Sequence, residues 1–206
     1  MSDFTYPKAR HIRREWPPQW ADYSRYKRTL QSEFNGRCVY CRDLDAVRGY
    51  DSFGVDHYKP KTRFPALRAE YSNLYYCCNT CNRWKSDHWE EAKPGGSFVP
   101  NPCDHVMHSH LGFDDGAVVG KSRAGRDTVE LLHLNDSLTV RHRQAIAHVA
   151  ATLRSQAVDA RRHLRAARRR VGKRSAPANL QQEIKCYEDL LARAEGALAH
   201  WGLAVD

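Results

Sequence analysis

The chain has 206 residues, 41% of them hydrophobic, which allows one domain with a sizeable core or two small lobes. No run approaches the roughly 20 apolar residues of a membrane span, and the polar, basic start MSDFTYPKARHIRREW has no signal-peptide core, so a cytoplasmic protein with reduced cysteines is expected. The net charge of +9 is concentrated: Arg154–Arg174 carries nine basic residues against Asp159 alone, +8, which leaves +1 for the rest of the chain.

The opening segment is aromatic and basic, with Trp16, Trp20, Tyr23 and Tyr26. Pro17 and Pro18 suit the first turn of a helix. That helix is expected to run to Phe34, where Asn35-Gly36 supplies a stop. Cys38-Val39-Tyr40-Cys41 reads as a tight knuckle and residues 42–55 as loop. Gly54-Val55-Asp56-His57-Tyr58 reads as a short strand ended by Pro60. Asn73 to Cys78 reads as a turn into a second knuckle, and Asn82 as the start of a short helix carrying Lys85. Pro94-Gly95-Gly96 breaks the chain.

Residues 97–136 read as packing structure. Asp114-Asp115-Gly116, flanked by apolar residues, predicts a hairpin, and Asp127 is the expected cap of a short helix with Val129, Leu131 and Leu132. From Ser137 the period is helical: Ile146, Val149, Leu153, Ala157, Ala160, Leu164, Ala167 and Val171 alternate three and four apart. Gly172 and Pro177 end this helix, and a second carries Leu180, Ile184, Tyr187, Leu191, Ala194, Leu198 and Trp201. The short connection predicts an antiparallel hairpin. Residues 1–100 then hold an N-terminal helix and a cysteine-rich core, 101–136 a connecting segment, and 137–206 a basic hairpin forming one unit with the core.

Cys38/Cys41 and Cys78/Cys81 offer two chelating thiolate pairs, the donor set of a structural Zn²⁺. Cys77 would break the two-residue spacing to Cys81, so Cys78 is preferred. Cys103 and Cys186 are unpaired by spacing and read as packed thiols. The His105/His108/His110 cluster lacks a compact ligand spacing and reads as surface, and Asp87 and His88 are spare candidates.

Phosphodiester hydrolysis needs a base for the attacking water and positive charge for the developing oxyanion. An imidazole serves the first and a hard divalent cation, held by oxygen donors, the second. His57, Asp56 and Asn82 supply these groups, provided that the knuckles bring Asn82 opposite Asp56. Neighbours on a regular strand point to opposite faces, so Asp56 and His57 share a site only if the strand ends there or they approach the phosphate from different sides. Arg154, Arg161, Arg165 and Arg168 form a stripe beside the apolar seam, fit for a nucleic-acid backbone.

Cys38-x-x-Cys41, Asp56-His57-x-x-Pro60, Asn73-Leu74, Cys78-x-x-Cys81-Asn82 and Lys85 together resemble the HNH nuclease motif, over about residues 34–90. The resemblance implies a ββα-metal core, and with the zinc pairs and the helical period read above the expected fold is α+β, mainly helical: a zinc-stapled ββα-metal core followed by a C-terminal antiparallel helical hairpin. It implies His57 as general base, Asp56 and Asn82 as ligands of a catalytic Mg²⁺ or Mn²⁺, and Asn73 as the residue that orients the ββα loop. Asn82 stands where many members have His, a change that bears on metal preference. Lys85, three residues on, is the expected phosphate contact. His57-Tyr58-Lys59-Pro60-Lys61, Phe64-Pro65, Leu132-His133-Leu134-Asn135 and the arginine-rich helix resemble the HNH component of the Septu phage-defence system, which implies an associated ATPase subunit. The expected function is a metal-dependent endonuclease acting on DNA, without a membrane partner. The alternatives are a non-catalytic zinc-containing nucleic-acid-binding module and an interaction subunit of a larger complex.

Overall fold

Two five-residue strands carry the site. β1 (Phe53–His57) and β2 (Leu74–Cys78) pair antiparallel, Phe53 opposite Cys78 and His57 opposite Leu74. In the computed structural model, which describes residues 4–171 and 176–203, they belong to the first of two units, Met1–Gln144 and Ala145–Asp206. The turn expected at Asn73–Cys78 is therefore the second strand. All five of its residues are buried, so it lacks the apolar/polar alternation that marks a half-exposed strand.

α3 (Asn79–Lys85) follows β2 without a connection and starts three residues earlier than expected. Cys78 is its cap, the sulfur accepting from the Cys81 amide at 3.4 Å. A cysteine is a poor sequence signal for a role usually filled by Ser, Thr, Asp or Asn.

The N-terminal helix is shorter than expected. Pro17 to Asp22 is not helical. The Asp22 carboxylate accepts from the Ser24 amide and starts a 3-10 turn, Tyr23–Tyr26, that continues into α1 (Lys27–Glu33). The stop falls where expected, with Asn35 and Gly36 both at positive φ, 52° and 64°. A Cβ on Gly36 would also lie 2.5 Å from Asp45 Oδ1, so the site demands glycine twice over. Residues 42–55, read as loop, contain α2 (Asp45–Arg48), a 3-10 turn (Tyr50–Ser52) and the start of β1. The core of the unit joins Tyr26, Leu30 and Phe34 to the knuckle residues, the hairpin and Leu132/Leu134.

α4 (Met107–His110) leads into β3 (Leu111–Asp114) and β4 (Ala117–Gly120), whose turn has Asp115 and Gly116 at φ 41° and 80°. Positive φ at both central residues is the geometry that a two-residue hairpin favours. The following helix, α5 (Arg123–Leu131), is capped by Ser122, which accepts from the Gly125 amide. Asp127, the expected cap, lies inside the helix and faces Arg123 at 3.8 Å.

α6 (Ser137–Arg169) begins in the first unit, where buried Arg143 donates to the Gly116 and Leu134 carbonyls. In the second unit it pairs with α7 (Ala178–His200) through Arg161–Glu195 and Arg168–Glu188, and Arg170, just past its end, pairs with Glu183. Numbers that rise along one helix fall along the other, which makes the hairpin antiparallel. Pro177 caps α7, while Gly172 lies outside the described residues. Among the described residues no helix is long and apolar enough to cross a membrane.

Candidate functional site

The ligand atoms of Cys38, Cys41, Cys78 and Cys81 all lie within 4.8 Å of one another, and all four residues are buried. A tetrahedron with Zn–S bonds of about 2.3 Å has edges of about 3.8 Å, and Cys41 Sγ stands 3.7 Å from Cys78 Sγ. The donor set therefore fits Zn²⁺ in both chemistry and spacing. Contact with Cys38 drives the Cys78 thiol far down and the Cys41 thiol up, as expected of sulfurs too close to ionise independently. Cys77 stays outside the cluster, with its sulfur 3.9 Å from Cys38 Sγ and directed at the Cys78 carbonyl.

The knuckle also reaches the hairpin. Tyr40, between the first two cysteines, donates its hydroxyl to Asp56 Oδ2 at 2.6 Å. Burial, followed by the charge of Asp56, pushes the Tyr40 phenol well up, so it remains a donor. On the other oxygen, Lys85 Nζ lies 3.0 Å from Asp56 Oδ1 and also donates to the His57 carbonyl at 2.8 Å. Asp56 is 1% exposed and Lys85 1%. The surface phosphate contact expected of Lys85 does not fit this burial. The residue ends a seven-residue helix pressed onto β1, and its ammonium points inward to a carboxylate.

Asp56 and Gly54 share the β1 face that α3 covers. A Cβ on Gly54 would lie 3.3 Å from Asn79 Oδ1 and 4.0 Å from Asn82 Nδ2, and Asn82 Nδ2 reaches the Val55 carbonyl at 3.5 Å. The Asp56 carboxylate and the Asn82 amide oxygen are hard donors on facing elements, the chemistry that Mg²⁺ or Mn²⁺ prefers. Each Asp56 oxygen keeps a lone pair beyond its bond to Tyr40 or Lys85, so a cation held there would share the carboxylate with an ammonium.

His57 points the other way, as strand alternation requires. Its ring meets the edge of Tyr23 at 4.5 Å, and Nε2 lies 2.9 Å from the Arg68 carbonyl oxygen. A carbonyl only accepts, so Nε2 carries the hydrogen, and in the neutral ring Nδ1 holds the free lone pair. Burial lowers the His57 pKa, with nearby Lys61 adding to the effect and the Arg68 carbonyl opposing it. The contact thus fixes the tautomer, and burial favours the neutral ring.

Asn73 closes the connection between the strands. Its Oδ1 accepts from the Lys59 amide at 2.8 Å, and its Nδ2 donates to the Lys59 and Leu67 carbonyls at 3.0 and 3.2 Å. Leu67 precedes Arg68, so Asn73 sets the backbone on which His57 rests. Tyr40, Tyr23 and the Arg68 carbonyl are the contacts of Asp56 and His57 that the sequence did not assign to the site. The Cys-Val-Tyr-Cys spacing was the one available signal, for Tyr40.

Of the arginine stripe, Arg161 and Arg168 face acids of α7 at 2.7 Å each. Arg154 is half-buried, and Arg165 is exposed beside Arg162 and Arg169 on a groove of α6. Arg161 and Arg168 thus serve the helical hairpin itself, because Glu195 and Glu188 on α7 fall in register with them.

Residues 38–88 match the family model described as HNH endonuclease. The chain is similar to Septu protein PtuB of Bacillus thuringiensis, 33% identical over 110 residues that cover 53% of this chain and 40% of that protein. It is also similar to Septu protein PtuB of Bacillus mycoides (strain KBAB4), 24% identical over 150 residues, 59% of this chain and 50% of that one. Septu protein PtuA of the same strain is 26% identical over 147 residues, 57% of this chain and 20% of its own length. The matches thus span half or less of each relative's length.

Proposed function

We propose that the HNH domain at residues 38–88 hydrolyses phosphodiester bonds in nucleic acid, DNA in the first place, with His57 as general base. The observation that carries this reading is the imidazole itself: neutral, with Nε2–H tied to the Arg68 carbonyl and the Nδ1 lone pair left for a water proton. Asn73 positions that carbonyl through its bonds to Lys59 and Leu67. Asp56 and Asn82 would hold the Mg²⁺ or Mn²⁺, which when bound supplies charge to the developing oxyanion. Tyr40 and Lys85 orient the Asp56 carboxylate and join it to the zinc knuckle.

The similarity to Septu proteins PtuB and PtuA supports a wider reading, an effector nuclease of bacterial anti-phage defence that acts in the cytoplasm beside an ATPase subunit. The test is plasmid nicking with Mg²⁺ or Mn²⁺, alone and with a candidate partner, by the wild type, His57→Ala and an EDTA control. Nicking lost in both latter arms is expected. Full activity in folded His57→Ala protein overturns the assignment.

The closed Lys85–Asp56 pair favours a second reading, a non-catalytic zinc-containing nucleic-acid-binding or interaction subunit. Binding without cleavage under every divalent metal and partner would select it.

A further inference from the structure

A pocket of about 260 Å³ lies on the first unit between the N-terminal segment and the inter-strand connection. Its lining includes Trp16, Gln19, Tyr26, Glu70 and Tyr71. Trp16 is 83% exposed, a large apolar ring with no core to serve. Tyr26 and Tyr71 pack with tilted rings, their centroids 5.4 Å apart, and Tyr71 donates its hydroxyl to Glu33. The guanidinium of Arg13 lies over Phe34, Tyr71 and Tyr75 at 5.2, 4.8 and 4.7 Å and ties this wall to the core. Gln19 and Glu70 meet at 3.4 Å and bring an amide and a carboxylate to the rim.

The position of the pocket joins it to the site. Ala69, in its lining, follows the residue whose carbonyl holds His57 Nε2. Tyr23, against the His57 ring, stands one helical turn before Tyr26. Exposed Lys61 and Arg68 lie over the Tyr23 ring and exposed Arg25 over Trp20, so cations border this face. The volume is below the roughly 300 Å³ at which pockets for drug-sized ligands begin, which suits one flat ring system.

We propose that this pocket takes a single unpaired nucleobase of the nucleic acid, stacked on Trp16, next to the phosphate presented to His57. The proposal rests on the nuclease reading above and deepens it: the substrate would carry an unstacked base at the cut site, as in a single strand or a distorted duplex. Aromatic stacking of this kind tolerates any base, because each has a π-face, while a polar rim such as Gln19/Glu70 adds preference at the base edge.

The test uses the full chain without added divalent metal, so that the strand stays intact, and single-stranded oligonucleotides carrying 2-aminopurine at each position in turn. Fluorescence should be quenched at one position, and Trp16→Ala should abolish that quench and weaken binding roughly tenfold. Trp16→Phe should retain most of the affinity. An abasic residue at that position should weaken the wild type by a similar factor and leave Trp16→Ala unchanged. Binding with no Trp16-dependent quench at any position overturns the pocket and leaves the nuclease reading standing. Failure to bind any oligonucleotide also overturns the pocket, and if plasmid nicking is absent as well the nuclease reading falls with it.

Discussion

The ammonium of Lys85 lies 3.0 Å from the carboxylate of Asp56, and neither side chain is more than 2% exposed. Removing one partner strands the other as an uncompensated buried charge, at a cost of about 3–5 kcal/mol. Lys85→Met should therefore lower the unfolding free energy of the first unit by an amount in that range, read as a lower urea midpoint, although it removes no large apolar contact. An unchanged midpoint would show that Asp56 is stabilised by Tyr40 alone.

His57 carries a pH signature of its own. Its folded pKa lies below the ordinary 6.5 because burial opposes the charged ring. The base form then persists at mildly acid pH, and the acid limb of kcat/KM should fall with a midpoint under 6.5. The stability sign is the opposite of a His that gains a partner. Between 6.5 and the folded pKa the unfolded chain binds the extra proton, so stability drops as pH falls through that window. An acid limb above 6.5 would reject a buried neutral imidazole as the base.

The neighbouring cysteines Cys77 and Cys78 make a paired prediction. Freshly purified protein should hold one zinc per chain, bound by the four clustered thiolates. Cys78→Ser should lose it and, with a structural zinc contributing about 10–16 kcal/mol in small domains, should unfold the knuckles. Cys77→Ala should keep the zinc, because its sulfur lies outside the cluster. Elemental analysis of both variants decides the register. Loss of zinc in Cys77→Ala with retention in Cys78→Ser would reverse it. Since Tyr40 lies in the knuckle and holds Asp56, zinc loss should also abolish cleavage.

What could be read before folding was mostly what spacing encodes. The Cys-x-x-Cys pairs, the stop at Asn35-Gly36, the Asp115-Gly116 turn and the two long helices follow from local rules, and the structure has each of them. β2 was not legible, because Leu-Tyr-Tyr-Cys-Cys is buried on both faces and shows no period. The caps at Asp22, Cys78 and Ser122 depend on which side chain wins a competition for one amide, and neighbouring candidates look equivalent in sequence. The inward turn of Lys85 was hidden for a deeper reason. A lysine at a helix end reads as solvated unless one knows that a buried carboxylate 29 positions earlier needs a cation.

The basic hairpin of the second unit separates two kinds of arginine that composition treats alike. Arg161 binds Glu195 with both groups about a third exposed, a pair worth about 0.2–1 kcal/mol. Arg161→Ala should lower stability by that small amount. Arg165 is exposed on a groove that Arg161, Arg162 and Arg169 also line. If the groove carries phosphate, Arg165→Ala should weaken binding across sequences and reduce the slope of log K against log salt by about 0.9 for duplex DNA. Arg161→Ala should leave that slope close to the parent value, because its guanidinium is already neutralised within the hairpin. Titrations at several salt concentrations separate the two, with thermal unfolding as the parallel readout. Equal slopes lost in both variants would mean that the Arg161–Glu195 pair opens when nucleic acid binds.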